Sequence, residues 1–191
     1  MKKLNFGVAL TGSFCTFNKA IEQIELLVAN EVNVIPIMSF NAYEVDTRFG
    51  KAADFAEKIE QITGNKVLKS ITEVEPIGPQ KLLDILIVLP CTGNTLAKLA
   101  NGIFDTPVTL AVKSHLRNQR PVLIGVSSND ALSTSAKNIG ILQNYKHFYF
   151  IPMRQDAPLE KPFSIVCDFS RTMPAAYLAI EEAQQIQPII F

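Results

Sequence analysis

The sequence predicts a three-layer α/β fold, an open parallel sheet with helices on both faces, Rossmann-like or flavodoxin-like in outline. Strand and helix patterns alternate along the chain with short connections, the mark of βαβ units. One run, Asp84 to Leu89, is apolar on both faces after its first residue, as a strand covered on both sides must be. Small polar residues follow one strand after another, at the edge where open α/β sheets bind ligands. With 191 residues the chain can bury one sizeable core, so a single domain over residues 1–191 is expected.

Leu4 to Leu10 reads as the first strand, and Ala20 to Asn30 places Ile21, Ile24, Leu27 and Val28 at helical spacing. Val32 to Met38 is a second apolar strand. From Gly50 to Thr63, Ala53, Ala56, Ile59 and Ile62 recur three apart, an amphipathic helix that Gly64 ends. Asn65 to Gln80, with Pro76, Gly78 and Pro79, brings the chain back to the sheet. In the strand that follows, Pro90 has no N–H to donate and is expected to end the ladder. Thr106 to Leu116 is helical, Pro121 to Val126 is a buried strand, Ile139 to Leu142 closes a helix, and His147 to Ile151 is a late strand. A polar, proline-rich loop, Pro152 to Pro162, precedes a terminal helix over Arg171 to Gln187.

Composition excludes several classes. Lys plus Arg and Asp plus Glu both number 18, which leaves no basic excess to grip a phosphodiester backbone, so nucleic acid is not an expected partner. The three cysteines, Cys15, Cys91 and Cys167, are scattered without a CxxC, and His115 and His147 stand far apart, so neither a disulfide framework nor a metal site is expected. Lys2 and Lys3 precede an apolar run, but Phe6 to Leu10 is shorter than a signal core. No run is long enough for a membrane span, and a reducing cytoplasm is the expected compartment.

The candidate binding residues sit just after the strands. They are Thr11, Gly12, Ser13 and Phe14; Ser39, beside Asn41; Thr92, Gly93, Asn94 and Thr95; and Ser127, Ser128 and Asn129. Almost all are neutral hydroxyl, amide or glycine residues. Thr92 to Thr95 is the most specific group, because it delivers a polar loop onto a helix start, where unpaired N–H groups and the dipole favour phosphate. A pocket of many neutral donors suits a phosphate-bearing ligand with an apolar or aromatic body. Thr11 to Ser13 also reads as a plain strand-to-helix turn, and Ser127 to Asn129 as caps of the next helix. Gly7 and Gly12 have Walker spacing, but Ser13 stands where lysine is required. Cys91 beside the loop is a candidate nucleophile with no histidine near it in sequence. His115 is expected at the surface and His147 in a strand.

Three segments together resemble one family. PCTGNTLAKLANGIFDTPVT, from Pro90, is similar to the PASANT segment of the homo-oligomeric, FMN-binding cysteine decarboxylase superfamily of flavoproteins. FGVALTGSFCTFNKA, from Phe6, resembles that family's first strand and phosphate loop. VLIGVSSNDALS, from Val122, and KNIGILQN fall where the family has its PAMN segment and the helix after it. The resemblance implies that Gly12, Ser13 and Ser39 hold the phosphate and ribityl chain of FMN. It likewise implies that Thr92, Asn94 and Thr95 bind flavin and shape the substrate pocket, and that Asn129 matches the PAMN asparagine. It implies a homo-oligomer built on trimers. Within the family, the chain is most similar to a spore-formation subunit that works with a second subunit bearing a dinucleotide-binding domain, on a small cyclic dicarboxylate. A scaffolding role with a vestigial flavin site, and decarboxylation of a cysteine-containing substrate, stand as alternatives.

The departures bear on the chemistry. The decarboxylases carry a catalytic histidine before the strand at Asp84, and Asn65 to Asp84 here contains none. Val126 and Ser128 replace the PAMN proline and methionine, and Cys167 stands alone in IVCDFS, without a substrate-clamp motif. Arg154 and Arg171 are candidate carboxylate clamps.

Overall fold

The computed structural model describes residues 3–190; Met1, Lys2 and Phe191 lie outside it. Five parallel strands lie in the order β2 (Asn33–Met38), β1 (Asn5–Leu10), β3 (Ile85–Cys91), β4 (Val122–Ser128) and β5 (Phe148–Phe150). This 2-1-3-4-5 order is that of flavodoxin-like sheets, whose chain direction switches between the first and third strands. β4 is longer than β5, and its free carboxyl half pairs antiparallel with β7 (Ile165–Cys167), which in turn pairs with β6 (Met153–Arg154).

Alternation along the strands divides the core into two faces. Ile85, Ile87 and Leu89 pack with Phe6, Val8 and Leu10 under α1 (Phe17–Ala29), α3 (Ala52–Thr63) and α8 (Thr172–Glu181). Leu86 and Val88 pack with Val122 and Ile124 on the other face, under α4 (Ile71–Val74), α5 (Gly93–Ala100), α6 (Pro107–Leu116) and α7 (Ala136–Gln143). The short α2 (Phe40–Glu44) follows β2. Every residue of β3 is buried, which is why its sequence is apolar on both faces.

The expected elements are present with four corrections. β3 continues through Pro90 to Cys91, because a register shift between Val88 and Cys91 releases Pro90 from the ladder. The Pro90 carbonyl instead accepts the Thr11 N–H at 3.2 Å and the Thr11 hydroxyl at 2.8 Å. Asn65 to Gln80 returns to the sheet only through a bridge from Leu68 to Ile37 before turning helical. The proline-rich loop holds the β6 strand, and the hairpin with β7 is an addition that sequence periodicity did not reveal. The terminal helix stops at Glu181, where Ala183 turns to positive φ; Gln185 then donates to the Phe150 carbonyl at 2.7 Å and accepts the Phe150 N–H at 2.6 Å. Its side chain thus completes the β5 edge.

The histidines also differ from expectation. His115 is fully buried, with Nε2 on the Pro121 carbonyl at 3.0 Å, and burial lowers its pKa to about 4. His147 precedes β5 in the left-handed region (φ 69°). Among the described residues no helix is long and apolar enough to cross a membrane.

Candidate functional site

Two adjoining cavities open at the carboxyl ends of β1 to β4. The larger, about 560 Å³, is walled by Ser13, Phe14, Arg48, Ser127, Asn129 and Ile165 among others. The smaller, about 310 Å³, includes Thr11, Ser39, Asn41, Asn94, Thr95 and Lys98. Gly12 and Thr92 line both. The four groups expected from sequence therefore meet at one rim, divided between two linked spaces rather than pooled in one.

Thr11 ties the rim together from inside. It is 1% exposed, donates to the Pro90 carbonyl, and accepts the Thr92 N–H at 3.0 Å, so its hydroxyl fixes β1 to β3 instead of facing a ligand. One residue later the backbone is free of a side chain, and a Cβ at Gly12 would meet the Phe14 ring at 3.6 Å and Asn41 at 3.7 Å. Ser13 is not a helix cap: its hydroxyl lies 2.8 Å from that of Ser127. Phe14 is half-buried against Phe17, ring centres 5.2 Å apart.

Ser39 and Thr92 do cap helices. Ser39 accepts the Ala42 N–H at 3.3 Å to start α2, and its own N–H donates to the Leu10 carbonyl at 3.0 Å. Thr92 accepts the Thr95 N–H at 3.3 Å to start α5. The expected loop is thus already helix: Gly93, Asn94 and Thr95 form its first turn. Asn94 is exposed, while Thr95 is buried with its hydroxyl 3.1 Å from that of Thr92.

Ser127 and Ser128 do not cap the helix that follows them. They are the last residues of β4, paired with Val166 and Ile165, and α7 begins only at Ala136. Ser128 accepts the Gly93 N–H at 3.2 Å and donates to Asp130. Asp130 also accepts Thr134 at 2.6 Å and Ser135 at 2.9 Å. Burial presses the Asp130 carboxyl upward, but these three hydroxyls outweigh it and hold it below the ordinary carboxylate range. Asn129 is exposed at the rim, and its carbonyl oxygen accepts the Ser164 hydroxyl at 3.4 Å.

Sequence reasoning missed Asp130, Thr16, Arg48, Phe49, Asp156 and Lys161, all on the larger cavity. Asp130 had a local signal: a carboxylate two residues after Ser128 and four or five before Thr134 and Ser135 can gather all three hydroxyls. The others come from segments without periodicity. Arg154 and Arg171, candidate carboxylate clamps whose commoner role is a surface ion pair, line neither cavity. Cys91 is no nucleophile, since complete burial raises its thiol pKa. Among the described residues no group of His, Cys, Asp and Glu could hold a metal ion.

This donor set of hydroxyls, side-chain amides and bare glycine backbone fits a phosphorylated ring cofactor, because it neutralises no metal yet offers many hydrogen bonds. The dipicolinate synthase B subunit of Bacillus subtilis (strain 168) is 43% identical over 192 residues, covering 99% of this chain and 93% of that one. The crystal structure of the dipicolinate synthase B subunit from Bacillus halodurans superposes with a TM-score of 0.90 at 38% identity, covering 100% of this chain and 99% of that one. The FMN-dependent cysteine decarboxylase SpaF shares the fold, with a TM-score of 0.69 at 19% identity over 93% of this chain and 97% of its own. The Flavoprotein family profile matches residues 1–186, and the chain belongs to that family.

Proposed function

We propose that this chain is the FMN-binding B subunit of a dipicolinate synthase, which acts with an A subunit to oxidise dihydrodipicolinate to dipicolinate during spore formation. The observation that carries this reading is the convergence of neutral donors from four strand ends on two linked cavities, in a chain 43% identical to one such subunit along nearly its whole length. We place the work in the cytoplasm, with the chain assembled as a homo-oligomer built on trimers.

In this reading Gly12, Ser13 and Ser39 hold the phosphate and ribityl chain, and Thr92, Asn94 and Thr95 lie along the ring. Ser127, Ser128 and Asn129 edge the space left for substrate. Bound FMN supplies a two-electron acceptor suited to aromatising a dihydro ring. The protein's share is orientation and exclusion of water. Decarboxylation of a cysteine-containing substrate is the weaker reading, because Asn65 to Asp84 lacks the histidine that the decarboxylases carry there.

The test combines purified A and B subunits. Dipicolinate should form faster with both than with A alone, and the B preparation should carry flavin absorbance. Equal rates with and without B would remove the assignment.

A further inference from the structure

Between α2 and α3 the chain makes a tight turn that sequence periodicity leaves unexplained. The Thr47 N–H donates to the Gly50 carbonyl at 3.0 Å, and the Gly50 N–H returns to the Thr47 carbonyl at 3.1 Å. Thr47 Oγ1 accepts the Phe49 N–H at 3.2 Å, and Asp46 accepts the Ala52 N–H at 2.9 Å, which pins the root of the turn. Gly50 has φ +148°, a backbone few side chains tolerate, and a Cβ there would lie 2.8 Å from the Phe55 ring. The turn is therefore a braced element, and it holds Arg48 and Phe49 on the wall of the larger cavity.

Phe49 is 44% exposed, and the Arg48 guanidinium carbon sits 4.9 Å from its ring centre. An aromatic ring left open on a rigid turn, with a planar cation stacked on it, is a recognition surface for an anionic ring. The charges on this cavity support that. Its lining carries Arg48, Lys161, Asp130 and Asp156, which sum to zero, so pairing decides which charge is available. Lys161 lies 3.4 Å from Asp156, while Asp130 keeps its charge and turns its oxygens to three hydroxyls, those of Ser128, Thr134 and Ser135. Arg48 is the cation of this lining that makes no ion pair among the described residues. Across the same cavity, Asn129 has its oxygen engaged by Ser164, which leaves its amide N–H groups to donate.

We propose that Arg48 and Phe49 form the carboxylate-binding subsite of this cavity, with Phe49 against the ring of a small cyclic dicarboxylate and Arg48 forked onto one of its carboxylates. The proposal rests on the reading of the cavity as a flavin site acting on such a substrate, and it names the residues that select the substrate class.

The test titrates dipicolinate into the FMN-loaded full-length chain, wild type against Arg48→Gln and Arg48→Lys, by calorimetry and by the flavin absorbance change. Arg48 is exposed, so both variants should fold, and circular dichroism checks this. The expected result is at least a tenfold loss of dipicolinate affinity in Arg48→Gln and a smaller loss in Arg48→Lys, with FMN affinity within threefold of wild type. Unchanged dipicolinate binding in Arg48→Gln, or no dipicolinate binding by the loaded wild type, overturns the subsite. A tenfold loss falling on FMN instead makes Arg48 a phosphate anchor and also overturns it. If the wild type takes up no FMN, the flavin reading fails by itself. Calorimetry on the flavin-free chain then still decides the subsite, by whether dipicolinate binds and whether that binding needs Arg48.

Discussion

Ser13 and Ser127 stand 114 residues apart in sequence, yet their hydroxyl oxygens lie 2.8 Å apart at the mouth of the larger cavity. The pair joins the loop after β1 to the end of β4, passing over β3, and Thr16 Oγ1 approaches both at 3.3 and 3.4 Å. This hydroxyl cluster sets how far apart two walls of the site can move. Ser13→Ala and Ser127→Ala should each cost about 1 kcal/mol in urea unfolding. The double variant should cost less than their sum, with a coupling of about 0.5 kcal/mol or more. Strict additivity would mean that the two loops are held independently.

Gly93 is set by its neighbours rather than by helix propensity. A Cβ there would fall 2.6 Å from both Asp130 Oδ1 and Ser135 Oγ, and 2.8 Å from Ser128 Oγ, and those groups are bonded to one another. Glycine to alanine near a helix start would ordinarily gain up to about 1 kcal/mol. Displacing a bonded cluster costs about 1–3 kcal/mol, so the contact wins. Thermal unfolding of Gly93→Ala should show a melting temperature lower by roughly 2–6 °C; an increase would refute the packing argument.

Ser39 separates stability from ligand binding. Aspartate caps a helix as well as serine, so Ser39→Asp should keep the bond to the Ala42 N–H and unfold within a few degrees of wild type. Its negative charge should repel a phosphate, lowering FMN affinity at least tenfold. Ser39→Ala should do the reverse, losing about 1 kcal/mol of stability with a smaller effect on FMN. Equal FMN affinity in all three proteins would place the phosphate elsewhere.

The sequence was most legible where one residue type answers to one physical need. The apolar run from Ile85 announces a strand buried on both faces, and Gly64 at φ 67° ends α3 as its position suggests. Neutral residues after β1 to β4 did converge, because the parallel topology brings those ends to one edge. What stayed hidden depends on contacts across the chain. The Ser13 to Ser127 bond has no local pattern, and Pro90 looks like a stop until Thr11 is seen to use its carbonyl. His115 looks polar in sequence but faces the core, because its ring reaches the Pro121 carbonyl ahead of β4. Arg48 and Phe49 were invisible because a braced turn has no period.

The burial of His115 predicts a pH dependence. Burial is the main cause that lowers its pKa from 6.5 to about 4; Arg120 adds to this, while the Pro121 bond and Asp84 oppose it. The folded state therefore favours the neutral ring more than the unfolded state does. Its contribution is fully present above pH 6.5 and is lost as pH falls toward 4, a loss approaching about 3 kcal/mol. In urea unfolding at several pH values, His115→Gln should give a flatter stability curve than wild type across that window. Parallel curves would show that other groups carry the acid sensitivity.

Titration with FMN and with riboflavin, followed by quenching of flavin fluorescence, tests the central claim most directly. The loops at the strand ends should bind FMN with at least tenfold higher affinity than riboflavin, because the proposed function assigns their hydroxyl and backbone donors to the phosphate. Equal affinity for both flavins, or no quenching by either, would contradict it.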